Sequence, residues 1–166
     1  ETTIETREAP PAHFLIKIES FSLIDNHGID KYETKEVLDG DYKWILIIYP
    51  NGHKRGRDGE GYVSVYLSIS DTTSQRAYWE VDATFSICLF NQISDNYRYA
   101  IVKAHRFHAM KVERGFSQFI SKNDLIDPSN GYLIDDNCVF GVEVFVHQNK
   151  AMIECLSLKN AKVPYK

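Results

Sequence analysis

Only three cysteines occur in the 166 residues, Cys88, Cys138 and Cys155, and none stands in a C-x-x-C pair. An odd number without paired spacing argues against a disulfide framework and a zinc knuckle, and points to a reducing compartment, cytoplasmic or nuclear. No apolar run approaches the ~20 residues a helix needs to cross a membrane, and no signal-peptide pattern opens the chain. There is no Gly-rich phosphate loop, no internal repeat and no low-complexity run. Positive charge is not in excess: 19 Lys and Arg stand against 23 Asp and Glu, which leaves no electrostatic footprint for nucleic acid. Helical periodicity is almost absent.

What is abundant is aromatic, at 13% of residues, and nearly all of it is Tyr and Phe. These residues favour strands and interfaces. The clearest stretch is Gly61 to Ile69, where Val63, Val65, Leu67 and Ile69 alternate with Tyr62, Ser64, Tyr66 and Ser68. Period two predicts a strand with one face in a core and the other toward solvent. Tyrosine rings on that outer face offer flat apolar surface with a polar tip, suited either to a partner or to a cross-strand aromatic pair.

The same reading orders the chain. Residues 1–11 form a polar arm ending in Pro10-Pro11. Strands are expected over His13–Ser20, more weakly over Tyr32–Leu38, and strongly over Tyr42–Tyr49, which Pro50-Asn51-Gly52 stops. The stretch Phe21–Asp30 reads as a polar loop and His53–Gly61 as a solvated charged one. Asp71–Gln75 reads as a turn. Further strands follow over Ala77–Asn91, Tyr97–Ala104 and Asn137–His147. Gly115–Ile120 lacks alternation and is expected to form a corner or a short helical turn. Residues 12–150 then make one domain, and 151–166 a last strand or linker. Seven or eight strands at regular spacing mean an all-β sandwich or barrel.

Catalytic and metal chemistry find little support. His105 and His108, three apart on a strand, point to opposite faces and cannot converge on one ion. Cys138 alternates with core valines, and a thiol buried among them is inert. Asp135-Asp136, directly before a strand, suits bonding to turn amides. No cofactor and no metal are expected, and no enzymatic activity.

Several segments together resemble the MATH (meprin and TRAF homology) domain, most closely the plant TRAF-like proteins. They are Phe14–Ser22, Trp44 with Tyr49-Pro50-Asn51-Gly52, Tyr62–Leu67, Gly115–Ile120, and Gly131-Tyr132-Leu133 with Asp135–Cys138. Their order and spacing carry the resemblance, over about Ala12 to Gln148. It implies an eight-stranded antiparallel β-sandwich of TRAF type. It also implies a non-catalytic adaptor that takes a short extended peptide beside an exposed strand, in some relatives within ubiquitin-dependent turnover.

Carried over by position, the resemblance assigns a groove to Tyr66, Phe85, Arg106, Lys111, Glu113, Arg114, Gly115 and Phe116. Arg114 stands where the family has Trp, and Arg106 near another family aromatic. Their guanidinium forks suit carboxylate or phosphate in place of an apolar anchor. Alternation sets Phe85 on the core face, against its assignment to the groove. Two other readings stand beside the adaptor. One is the substrate-recognition domain of a larger MATH-containing ubiquitin protease. The other is a self-association module, as a homo-oligomer or with a tandem second MATH domain.

Overall fold

The computed structural model describes residues 2–39, 41–53, 58–70, 78–147 and 155–159. Ten strands and two short helices run in the order β1 (Thr2–Arg7), β2 (Phe14–Ile18), α1 (Ser22–Asn26), β3 (Tyr32–Glu33), β4 (Val37–Asp39), β5 (Tyr42–Tyr49) and β6 (Tyr62–Ser70). Then come β7 (Glu80–Asn91), β8 (Asn96–His108), β9 (Glu113–Ser121), α2 (Lys122–Ile126) and β10 (Cys138–Val146). They form two sheets, β1-β8-β7-β10-β2 and β3-β5-β6-β9, with β4 also pairing β5. All the paired strands are antiparallel. The all-β sandwich is as expected; the described residues hold ten strands, not eight, because β1 and β9 are added, the weak strand over Tyr32–Leu38 divides into β3 and β4, and residues 155–159 add none.

Alternation explains the core. Trp44, Leu46 and Ile48 of β5 and Val63, Val65 and Leu67 of β6 face Phe85, Ile87 and Leu89 of β7 and Phe140, Val142 and Val144 of β10, all fully buried. Each such side chain contributes about 1.5–3 kcal/mol by leaving water. Phe107 packs edge-on against Trp44 at 5.0 Å and tilted against Phe85 at 6.0 Å, joining the layers. Burial pushes the thiols of Cys88 and Cys138 up to about 12, so neither is a nucleophile near neutrality.

Four expectations change. Residues 115–120 are strand, not corner: β9 pairs β6, and a register shift between Val63 and Val65 accounts for the broken alternation. The helical turn comes one step later as α2, capped by Ser121 Oγ accepting from the Asp124 amide. A short helix, α1, lies in the expected loop after Phe21. The polar arm contains β1, which pairs β8 from Thr2↔Val102 to Arg7↔Tyr97. Its base is latched by Arg7 Nη1 (2.9 Å) and the Ala12 amide (3.1 Å), both donating to the buried Glu143 carboxylate. The turn over 71–75 and the basic residues 54, 55 and 57 lie outside the described residues, as does most of 151–166; Cys155–Lys159 carry no strand.

Candidate functional site

After β8 the chain crosses from the first sheet to the second, where β9 is an edge strand. The turn is closed by His108 N donating to Lys111 O at 3.1 Å and Lys111 N to His108 O at 2.9 Å. β1 covers β8 only from Tyr97 to Val102. β9 pairs β6 on one side, and no described strand pairs its other side. Beside this edge lies a groove of about 500 Å³, lined by Tyr66, Met110, Lys111, Val112, Glu113, Arg114 and Gly115.

Register fixes which side chains share a face. Tyr66 stands opposite Gly115 and Ser68 opposite Glu113, so these four occupy the outer face. Leu67 stands opposite Arg114 and Val65 opposite Phe116, so Arg114 and Phe116 turn toward the inner side at the open edge. The outer face of β6 is not simply wet. Ser64 is fully buried, accepting from the His53 amide at 3.0 Å and donating to Ser117 O at 2.6 Å. Tyr66 packs edge-on with Tyr49 at 5.8 Å and His53 at 5.5 Å. The tyrosine is therefore both a cross-strand aromatic contact and a groove wall. Its hydroxyl is pushed above the usual phenol range, first by burial and then by the Glu113 charge.

Of the residues assigned from sequence, Tyr66, Lys111, Glu113, Arg114 and Gly115 come together around this groove. Phe116 is half-buried one position on, packed against the core and 6.1 Å from Phe119. Two are elsewhere. Phe85 is fully buried between the sheets and presents nothing to a ligand. Alternation had already set it there, and the carry-over by position misplaces it. Arg106 stands opposite Asp82 on the outer face of the first sheet, bonded to Asp82 at 3.2 Å and near Glu80 at 3.7 Å. It is not among the groove's lining residues, whose charges are Lys111 and Arg114 against Glu113.

His105, weighed from sequence only as a metal ligand, was not placed at this site. It lies opposite core-facing Ala83, so it points inward behind the open edge, in edge contact with Phe107 at 4.7 Å. Its Nε2 is buried without a hydrogen-bond partner. Burial foremost, then the positive charges of Arg114 and Lys111, lower its pKa to about 4. The available signal was its alternation with Phe107 in Ala104-His105-Arg106-Phe107.

The family model of the MATH domain matches residues 13–144. The chain belongs to the MATH domain family. It is 31% identical over 150 residues to ubiquitin C-terminal hydrolase 12 of Arabidopsis thaliana, covering 89% of this chain and 13% of that protein. It is 27% identical over 129 residues to the Arabidopsis MATH domain and coiled-coil domain-containing protein At1g31390, covering 78% of this chain and 44% of that one. Among solved structures it is similar to TRAF5 of Notothenia coriiceps, with a TM-score of 0.62 at 20% identity, over 86% of this chain and 77% of that one. The chain thus spans less than half the length of either curated relative. Strand β1 precedes the matched residues.

Proposed function

We propose that this MATH domain is a non-catalytic protein-interaction module that takes an extended peptide segment along the free edge of β9. The observation that carries the reading is the position of that edge beside the groove of Tyr66, Lys111, Glu113, Arg114 and Gly115. An edge strand carries unpaired amides and carbonyls that an added strand satisfies. Gly115 lets the backbones lie close, Tyr66 offers an apolar wall, and Lys111 and Arg114 outnumber Glu113. The favoured segment carries Asp, Glu or phosphate near an apolar residue. The two buried cysteines are unpaired, which fits action in the cytoplasm or nucleus.

A second reading has a specific observation behind it. Two Arabidopsis ubiquitin C-terminal hydrolases match this chain over only 13% and 12% of their length. The domain would then be the substrate-recognition part of a larger protein of that kind. Self-association, or pairing with a tandem domain, is an outcome that light scattering at several concentrations distinguishes.

The test is a peptide array probed with the domain, followed by titration of captured peptides against wild type, Tyr66→Ala and Arg114→Glu. Arg114→Glu should weaken binding by about 1–3 kcal/mol where the contact is charge-assisted, and the loss should shrink at high salt. Equal affinity across all three proteins would place the partner surface elsewhere.

A further inference from the structure

At the far end of β9, roughly 26 Å along the strand from Glu113 at ~3.3 Å per residue, lies a second pocket of about 430 Å³. Its walls include Tyr62, Arg98, Gln118, Asp124, Asn130 and Tyr132. Arg98 reaches it from β8. It stands opposite core-facing Leu89, so it points into the gap between the sheets. Its guanidinium is held in place: Nη1 donates to Phe119 O at 3.1 Å, and the group sits 6.0 Å from the centre of the Phe119 ring. That uses one of the five N–H donors of an arginine fork. Among the described residues no carboxylate lies within ion-pair reach of Arg98, and none of their cations pairs with Asp124.

The backbone of Asp124 is held at the pocket wall, its amide donating to Ser121 Oγ and its carbonyl accepting from Asn130 Nδ2 at 2.8 Å. The pocket therefore carries one fixed guanidinium and one carboxylate that do not neutralise each other, with two tyrosines beside them. A simple anion would meet Asp124 unfavourably and a simple cation would meet Arg98. A group that satisfies both has a carboxylate with an N–H donor close by, which is what an acidic residue in an extended chain presents.

We propose that this pocket is a second ligand site, separate from the groove at Tyr66, that binds a glutamate or aspartate residue of a partner segment. Arg98 takes the side-chain carboxylate and Asp124 takes a backbone amide. Because Arg98 is already immobilised, little side-chain freedom is lost on binding. The site does not depend on the groove being occupied.

The experiment uses N-acetyl-glutamate N-methylamide and the matching glutamine compound, followed by NMR on the side-chain amides of Gln118 and Asn130. The glutamate compound should give saturable shifts and bind about tenfold tighter than the neutral one, as expected where one hydrogen bond becomes charge-assisted. Arg98→Gln should erase that preference and Asp124→Asn should weaken both compounds. Should Arg98→Gln not fold, Arg98→Lys keeps the charge and should keep a reduced preference. Tyr66→Ala should change nothing. Equal binding of the two compounds, no shifts at millimolar probe, a preference that survives Arg98→Gln, one absent from Arg98→Lys, or shifts altered by Tyr66→Ala would overturn the proposal.

Discussion

A Cβ placed on Gly115 would lie 2.5 Å from the Cα of Tyr66 and 2.2 Å from the carbonyl oxygen of Val65. Both are backbone atoms, so nothing flexible can move aside. The glycine is needed for the approach of β9 to β6, and that approach sets Tyr66 against the groove. Gly115→Ala should force the strands apart and cost about 1–3 kcal/mol, the range for overpacking a close-packed site. Urea unfolding measures it. A variant as stable as wild type would mean that β9 relaxes freely at this point.

The core makes a harsher prediction. Val142 is fully buried, paired with Phe14 on one side and Ile87 on the other. Val142→Asp would bury a carboxylate among apolar side chains, a cost of several kcal/mol, and the protein should be unfolded at 25 °C by circular dichroism. Phe140→Ala, also fully buried, should lose about 3–5 kcal/mol and still fold cooperatively if the starting stability is ordinary.

How much of this was legible depends on where periodicity is intact. Trp44 and Leu46 lie in a run that is apolar on both faces and do not announce themselves by alternation, while Val65, Leu67, Phe140, Val142 and Val144 do; all are fully buried. Residues 115–120 do not, because the register shift against Val63 and Val65 breaks the alternation of β9. β1 was illegible for another reason. Of its six residues only Ile4 is a large apolar one, and that side chain is 55% exposed. The strand is held by main-chain pairing and by a contact to Glu143, 136 residues away. In the groove, Tyr66 and Gly115 were found by position in the family pattern. Arg106 and Phe85 were misplaced because such a carry-over does not show which face a residue takes. Arg98 was missed because its contact, with Phe119 of β9, lies across the gap between the sheets, and His105 was weighed from sequence only as a metal ligand.

The latch on β1 can be tested directly. Glu143 is 7% exposed and accepts from Arg7 and from the Ala12 amide. Arg7 also lies 4.5 Å over the Tyr99 ring, and Tyr99 donates its hydroxyl to Ala9 O at 2.8 Å. Glu143→Ala removes two bonds but leaves Arg7 with access to water, so the global cost should be about 1–3 kcal/mol. The local effect should be larger. Amides of Thr2–Arg7 should exchange with deuterium much faster while those of β10 stay protected. Unchanged protection over Thr2–Arg7 would show that strand pairing alone holds the arm.

The last prediction concerns acid. His105 points inward behind Arg114, its Nε2 buried and without a partner. Its pKa is lowered from 6.5 to about 4, by burial first and then by the charges of Arg114, Lys111 and His108, with Asp82 opposing them. An unfolded chain lets the imidazole take a proton near 6.5, which the folded chain refuses until about 4. Between those values the unfolded state binds more protons, so stability rises with pH and falls as the solution is acidified. Below about 4 both states are protonated and the contribution from this residue stops changing. A wild-type curve alone sums the contributions of every group that binds protons. His105→Phe isolates the contribution, since phenylalanine keeps the ring contact with Phe107 and has no proton to bind. Between pH 7 and pH 5 the urea midpoint of wild type should fall further than that of His105→Phe. Parallel curves would mean that the imidazole is free to charge in the folded protein, and that the space behind Arg114 is wetter than its geometry implies.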